Sequence, residues 1–165
     1  MVVPTSYINM PIITIETRIK APIEICFDLS RSIDLHTIST KQTGEQAVAG
    51  VTSGLISINE TVTWRARHFG VWQHLTSKIT SYNRPYLFTD EMVNGPFKHF
   101  KHDHHFICDC HETVMTDVFN YKSPFGALGR LADKLFLKLY MSDLLIERNS
   151  AIKYYAESGK WKELL

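Results

Sequence analysis

Several features that mark other protein classes are missing from this sequence of 165 residues. Lys and Arg number 18 against 17 Asp and Glu, so the basic excess typical of nucleic-acid-binding proteins is absent. No stretch approaches the ~18 uninterrupted apolar residues of a membrane-spanning helix. Met1–Met10 has neither a basic start nor a long apolar segment, which argues against a signal peptide. The sequence therefore predicts no nucleic-acid partner and no transmembrane segment.

Cysteine is also scarce. The chain contains Cys26, Cys108 and Cys110, and an odd count without an export signal indicates reduced thiols in a cytoplasmic protein. Cys108 and Cys110 flank Asp109, but without a second cysteine pair they do not make a zinc ribbon. We therefore predict cytoplasmic localisation, no cofactor and no structural metal.

The first forty residues predict one strand followed by two short helices. Ile12–Lys20 alternates apolar and polar residues, which is the period of a half-buried strand. Pro22 is well placed for a first helical turn, and apolar residues then recur at helical spacing. We predict helices at Pro22–Arg31 and Ser32–Ser39.

From Gly44 the pattern changes to strands separated by turns that contain Gly, Asn and Pro. The predicted strands are Glu45–Ala49, Leu55–Phe69, Val71–Tyr82, Tyr86–Asn94, Phe97–Cys108 and Glu112–Tyr121. Because the gaps are short, neighbouring strands should pair as antiparallel hairpins. With the first strand they form a sheet of six or seven strands, which must twist and curve at this length.

After Ser123-Pro124 the spacing becomes helical from Leu128 to about Glu157. One stripe consists of Leu128, Leu131, Leu135, Leu139, Ser142, Ile146 and Asn149. A second apolar stripe, roughly opposite, consists of Leu137, Tyr140, Met141, Leu144 and Tyr155. We expect the first stripe to face the sheet. The second would then be covered by Met1–Met10 or form a homodimer surface through Leu137, Tyr140, Met141 and Leu144.

This order of elements predicts an α+β domain, in which a curved antiparallel sheet wraps its concave face around the C-terminal helix. The domain would span residues 12–157, with an N-terminal extension at 1–11 and a C-terminal tail at 158–165.

Local motifs in the same order resemble the START and birch-pollen-allergen superfamily, also called SRPBCC or polyketide cyclase/dehydrase-like. Ile19–Asp28 (IKAPIEICFD) is similar to the strand-to-helix opening of that superfamily. Thr63–Gly70 (TWRARHFG) and Asp90–Phe97 (DEMVNGPF) resemble strands of its bacterial members. So does the alternation of Phe100, His102, His104 and Phe106, and Ser123–Gly129 (SPFGALG) resembles the start of the last helix.

The resemblance points to a bacterial ligand-binding subgroup that is largely uncharacterised, and it implies the helix-grip fold. Members of the superfamily bind lipids, sterols, polyketides or hormones in a cavity between sheet and helix. Some members are enzymes, and many only carry or sense a ligand, so the fold alone does not supply the function.

Alternation along the strands predicts the inward faces, and aromatic and methionine side chains with a few polar groups are typical of a small-molecule pocket. The predicted ligand-binding residues are Trp64, His68, Leu75, Ile79, Phe88, Asp90, Met92, Phe100, His102, His104, Phe106, Met115, Asp117, Phe119, Tyr121, Leu135 and Leu139. A solid core without a cavity is the alternative.

The inward His102, His104, Asp90 and Asp117 need partners if they are buried. They fit a satisfied polar network, the recognition of a polar group on a ligand, or acid–base catalysis with a histidine base oriented by an aspartate. A metal at His102 and His104 would need a third ligand, such as Asp117 or His68, and we assign none because eight histidines make such pairs common by chance.

We therefore predict binding, carrying or sensing of a hydrophobic or amphipathic molecule that is lipid-, polyketide- or isoprenoid-like. One alternative is a cyclase/dehydrase-type enzyme using a His/Asp pair, for which no catalytic residue is assigned. The other is an interaction domain with a filled core.

Overall fold

The computed structural model describes residues 10–165 and shows a seven-stranded antiparallel sheet, two short helices and a long C-terminal helix. The first elements are β1 (Ile12–Ile19), α1 (Ile23–Ser30) and α2 (Ile33–Ser39). The remaining strands are β2 (Gln46–Gly50), β3 (Thr61–His68), β4 (Val71–Asn83), β5 (Leu87–Asn94), β6 (His99–Asp109) and β7 (Glu112–Lys122). The chain continues through α3 (Ala127–Ala132), a π-helical turn (Asp133–Leu137) and α4 (Lys138–Ser158). We call residues 127–158 the last helix.

The strands follow the order β1-β7-β6-β5-β4-β3-β2, so the first strand pairs with the last one. The predicted antiparallel meander is confirmed, except that the strand expected at Leu55–Phe69 begins at Thr61. Leu55 makes a lone bridge to Ser32. Gly54 and Asn59 have positive φ angles, which an extended strand does not accommodate, and the segment turns instead.

The two short helices close one end of the sheet. Ser32 caps α2 by accepting a hydrogen bond from the backbone N–H of Leu35. In α1 the fully buried Phe27 packs edge-on against Tyr82, Phe88 and Phe106, each at a ring-centroid distance of 5.4 Å. Because α1 fills this end of the sheet, the space there is a packed core.

The last helix begins close to the strand that precedes it. A side chain at Gly129 would collide with the backbone carbonyl of Pro124, so this position requires glycine. Further along, α4 packs against β1, α1 and α2 through the buried Ile152 and Ala156. Trp161 and Leu164, in the predicted tail at 158–165, also pack against this core. Within residues 10–165, no helix is both long and apolar enough to cross a membrane.

The face that the last helix turns towards the sheet was predicted wrongly. Leu128, Leu131, Leu135 and Leu139 are between 53% and 73% exposed, whereas Leu145 and Ile152 are buried. The physical reason is that the inner side of the helix is apolar too, with Leu137, Tyr140 and Met141 facing the cavity, so the hydrophobic pattern does not identify the side that meets the sheet. The predicted extension at 1–11 and its contact with the helix lie mostly outside the described residues, because residues 1–9 are not described.

Candidate functional site

A cavity of about 340 Å³ lies between the sheet and the last helix. The sheet contributes apolar side chains from β3 to β7, and the helix contributes Leu137, Tyr140, Met141, Leu144 and Leu145. The sequence predicts an enclosed space, but the cavity is partly open to solvent. Phe69 is the exposed residue of the wall, at 61%, so the opening lies beside the β3–β4 turn.

Ten of the seventeen predicted ligand-binding residues line this cavity: Trp64, His68, Leu75, Ile79, Phe88, Asp90, Phe100, His102, His104 and Phe119. The other seven do not: Met92, Phe106, Met115, Asp117, Tyr121, Leu135 and Leu139. Met115 and Phe106 point to the predicted side of the sheet, but they lie in the core that α1 fills. Leu135 and Leu139 are on the exposed side of the last helix.

The predicted homodimer surface is also wrong in its residues. Leu137, Tyr140, Met141 and Leu144 line the cavity rather than the outside of the molecule. They therefore contribute to the candidate ligand site, and the outward apolar side chains of the helix are those that the sequence assigned to the interior.

The four inward polar residues meet in one buried cluster. His102 Nε2 lies 2.9 Å from Asp117 Oδ1, and His104 Nε2 lies 3.0 Å from Asp90 Oδ1. The strand register brings them together, since His104 lies directly opposite Asp117 and His102 opposite Asp90. His104 Nδ1 is 2.8 Å from Asp117 Oδ1, at an angle too poor for a well-formed hydrogen bond.

The last helix completes this cluster with two adjacent residues. Asn149 donates a hydrogen bond of 2.6 Å to Asp117 Oδ2, so both oxygens of the fully buried carboxylate have partners. Arg148 donates through Nη2 to the backbone carbonyl of Ser30. We call Asp90, His102, His104, Asp117, Arg148 and Asn149 the polar cluster.

The two histidines of the polar cluster have pKa values shifted in opposite directions. Burial lowers the pKa of His102, and the neighbouring charge of His104 lowers it further. Burial also opposes the charged form of His104, but contacts with Asp117 and Asp90 outweigh it and raise the pKa of His104. Burial would raise the pKa of Asp117, yet the two histidines hold it well below its usual range. The arrangement favours a neutral His102 beside a charged His104.

Besides His104 Nδ1, two nitrogen atoms of the polar cluster lack a hydrogen bond to the neighbouring carboxylates. Arg148 Nη1 is buried and unpaired, and its distance of 3.8 Å to Asp117 Oδ1 is too long for a hydrogen bond. His102 Nδ1 lies 3.9 Å from Asp90 Oδ1, which is also too long. Because both side chains line the cavity, a bound molecule with an acceptor oxygen can complete the coordination of Arg148.

Asp90, His102 and His104 are also the residues that could hold a metal ion, since each offers one ligand atom and these atoms lie within 4.8 Å of one another. However, Arg148 and His104 already lie beside the carboxylates of Asp90 and Asp117, and these contacts raise the pKa of His104 and so favour its protonated form. A cation would have to displace the proton of His104 and lie near the guanidinium. The donor set therefore suits a polar ligand group better than a metal.

A second set of polar side chains lies elsewhere on the cavity wall. His68 Nδ1 is 2.7 Å from the hydroxyl of Tyr140, which joins β3 to the last helix. His36 stacks on Trp64 at a centroid distance of 4.2 Å, and its Nε2 is 3.3 Å from Glu45 Oε2. The cavity wall therefore carries polar groups on β3 and the last helix in addition to the polar cluster.

Sequence reasoning missed several of these residues, of which Arg148 is the most important. Charged residues between two apolar stripes of a helix normally lie in water, so the pattern indicates a surface position for Arg148. One available signal was the need of inward Asp90 and Asp117 for a cationic partner. His36, Glu45 and Tyr140 carried no comparable signal in the sequence.

Comparisons with known proteins agree on the fold. No family model matches the chain, and no curated protein is significantly similar to it. Among solved structures, TTHA0849 from Thermus thermophilus is 17% identical, with a TM-score of 0.68 over 86% of this chain and 97% of that one. The ginseng major latex-like protein 151 from Panax ginseng is 15% identical, with a TM-score of 0.65 over 90% and 98% of the two chains. Protein Ms6760 from Mycobacterium smegmatis is 16% identical, with a TM-score of 0.63 over 87% and 88%.

Identities at this level establish shared architecture rather than shared activity. The seven-stranded antiparallel sheet, the two helices after β1 and the last helix packed on the sheet are those of the matched structures. The chain therefore has the helix-grip fold that its sequence motifs predict.

Proposed function

We propose that this chain binds a hydrophobic or amphipathic small molecule, lipid-, polyketide- or isoprenoid-like in character, and acts as its carrier or sensor. The observation that carries the proposal is the buried, unpaired Nη1 of Arg148 on the wall of an apolar cavity. An unpaired buried donor on a charged group costs free energy, which an acceptor oxygen of a ligand would recover.

The dimensions and chemistry of the wall support the same class of ligand. About 340 Å³ is at the lower end of the range for small-molecule pockets. Phe88, Phe100 and Phe119 offer aromatic surface to an apolar body. Arg148 Nη1 can donate to a carboxylate, carbonyl or hydroxyl oxygen, and Nδ1 of a neutral His102 that donates from Nε2 to Asp117 can accept from a hydroxyl group. The resemblance to a superfamily of hydrophobic-ligand binders points the same way.

Native mass spectrometry of the purified chain tests this proposal, with two matched variants of the last helix. Leu144→Trp fills the cavity, whereas Leu139→Trp adds the same side chain at a position that is 69% exposed. We expect a co-purifying small molecule in the wild type and in Leu139→Trp, and its loss from Leu144→Trp. If neither a co-purified molecule nor added 1-anilinonaphthalene-8-sulfonate binds the wild type, the carrier proposal fails.

A second candidate is an acid–base enzyme, because the two adjacent histidines have pKa values displaced in opposite directions, as occurs where an acid and a base must coexist. In this case His102, neutral and with a free Nδ1, would be the base. Its replacement by Gln should reduce turnover ~10²-fold or more. Recovery of every tested ligand unchanged after incubation with the wild type would count against the enzyme.

An interaction domain with a filled core has less support, since the space between sheet and helix is not filled.

A further inference from the structure

The first half of the last helix is apolar on both of its sides. Its inner side contributes Leu137, Tyr140 and Met141 to the cavity. Its outer side presents a row of exposed leucines, Leu128, Leu131, Leu135 and Leu139. Phe125 and Phe136 are 79% and 47% exposed beside this row. We call these six exposed residues the outer apolar face. Leucines on the solvent side of a surface helix are unusual, because that side is normally polar.

Exposed basic residues accompany the outer apolar face along its length, and the exposed acidic residues Asp143 and Glu147 follow only after its last leucine. Between residues 125 and 141 the exposed charged residues are Arg130, Lys134 and Lys138, one every four residues. The single acidic residue of this stretch, Asp133, is buried and accepts a hydrogen bond of 2.6 Å from Ser123. The whole chain has a net charge of only +1, so this concentration of positive charge is local.

The same region adjoins the opening of the cavity. Phe69, the exposed residue of the cavity wall, packs against Phe136 at a centroid distance of 5.5 Å and against Tyr140 at 4.7 Å. Val71, the first residue of β4, is 61% exposed next to this turn. The outer apolar face therefore continues into the rim of the opening.

We propose that the outer apolar face docks onto an anionic phospholipid membrane, with its leucines among the acyl chains and Arg130, Lys134 and Lys138 at the headgroups. An apolar helical face flanked by basic residues is the pattern of helices that lie in the membrane interface. A symmetric dimer through this face would bring the basic row of one copy near that of the other, which disfavours a second copy as the occupant. Docking does not require the ligand proposed above, although it would place the opening next to the lipid.

Flotation with vesicles tests the docking. The wild type should float with vesicles of phosphatidylglycerol and phosphatidylcholine, bind less at high salt, and bind weakly to phosphatidylcholine alone. Leu128→Glu combined with Leu135→Glu should weaken binding at least tenfold, whereas Ile107→Glu, at a residue 61% exposed on β6, should not. Lys134→Glu with Lys138→Glu should weaken it by about fivefold or more per position, against Lys41→Glu as the control. Circular dichroism melts check that each variant is folded.

A photocrosslinker at Leu135, as Leu135→benzoylphenylalanine, identifies what covers the face. A lipid adduct on vesicles supports the proposal. A crosslink to a second copy, together with a dimer in light scattering, would overturn it, as would a crosslink to residues 1–9 or the same flotation in all variants. The ligand experiments with Leu144→Trp are separate, so failure of docking leaves the proposed function standing, and failure of ligand binding leaves docking standing.

Discussion

Replacing Asp117 with asparagine should destabilise the protein strongly, because this carboxylate holds the polar cluster together. It accepts hydrogen bonds of 2.9 Å from His102 and 2.6 Å from Asn149, and it lies 2.8 Å from His104 Nδ1. The amide of the variant would keep one oxygen acceptor but remove the charge, leaving Asp90 as the single carboxylate of the polar cluster beside Arg148 and His104.

The size of the effect follows from the burial of the group. Asp117 is fully buried, and removing one partner of a buried ion pair costs about 3–5 kcal/mol. For a domain of this size each kcal/mol lowers the melting temperature by about 2–4 °C. We therefore expect Asp117→Asn to melt about 6–20 °C below the wild type in differential scanning calorimetry near neutral pH.

Asp103→Asn is the matched control. Asp103 also lies on this part of the sheet, and it accepts hydrogen bonds of 2.6 Å from Thr89 and 2.9 Å from Lys101. Its side chain faces solvent in part, so the substitution should cost no more than about 1 kcal/mol. Equal losses of melting temperature in the two variants would refute the view that the polar cluster stabilises the fold through charge held in the interior.

Two further predictions concern titratable groups. The raised pKa of His104 means that its charged form stabilises the fold fully below the unfolded-state pKa of about 6.5, and that this stabilisation is lost as pH rises through the folded-state pKa. The melting-temperature difference between wild type and His104→Gln should therefore be larger at about pH 5.5 than at about pH 8.5, and a difference that grows with pH would contradict this sign. Burial raises the pKa of Cys26 to about 11, while Cys108 and Cys110 are exposed. Iodoacetamide should label two thiols in the native protein and three after denaturation, counted by mass spectrometry, and rapid native labelling of Cys26 would show that α1 opens readily.

The sequence was most informative about the sheet. A period of two leaves a strand only two sides, so the buried Val62, Phe100 and His104 could be assigned to the interior from alternation alone. The same pattern cannot distinguish a residue that lines the cavity from one that lies in the packed core. Phe106 and Phe100 share a face of β6, yet α1 packs on Phe106 and leaves Phe100 beside the cavity.

The last helix was harder to predict for a different reason. Both sides of its first half are apolar, so hydrophobicity does not show which side meets the sheet. The burial of Arg148, which lies on the same helix, was also not predicted. Its burial depends on Ser30 and Asp117, which belong to elements far away in sequence.

The pairing of the first strand with the last has a consequence for folding. Ile12 lies opposite Asn120, about a hundred residues later, whereas β3 to β7 are joined by short turns. Loop-closure entropy favours these local hairpins, so the meander should form before β1 docks at its edge. Lys153 of α4 in turn contacts the backbone of Arg18 at the end of β1. The last helix, which covers the cavity, thus packs on a strand that joins the sheet late. The interior therefore stays accessible to water until the final steps of folding.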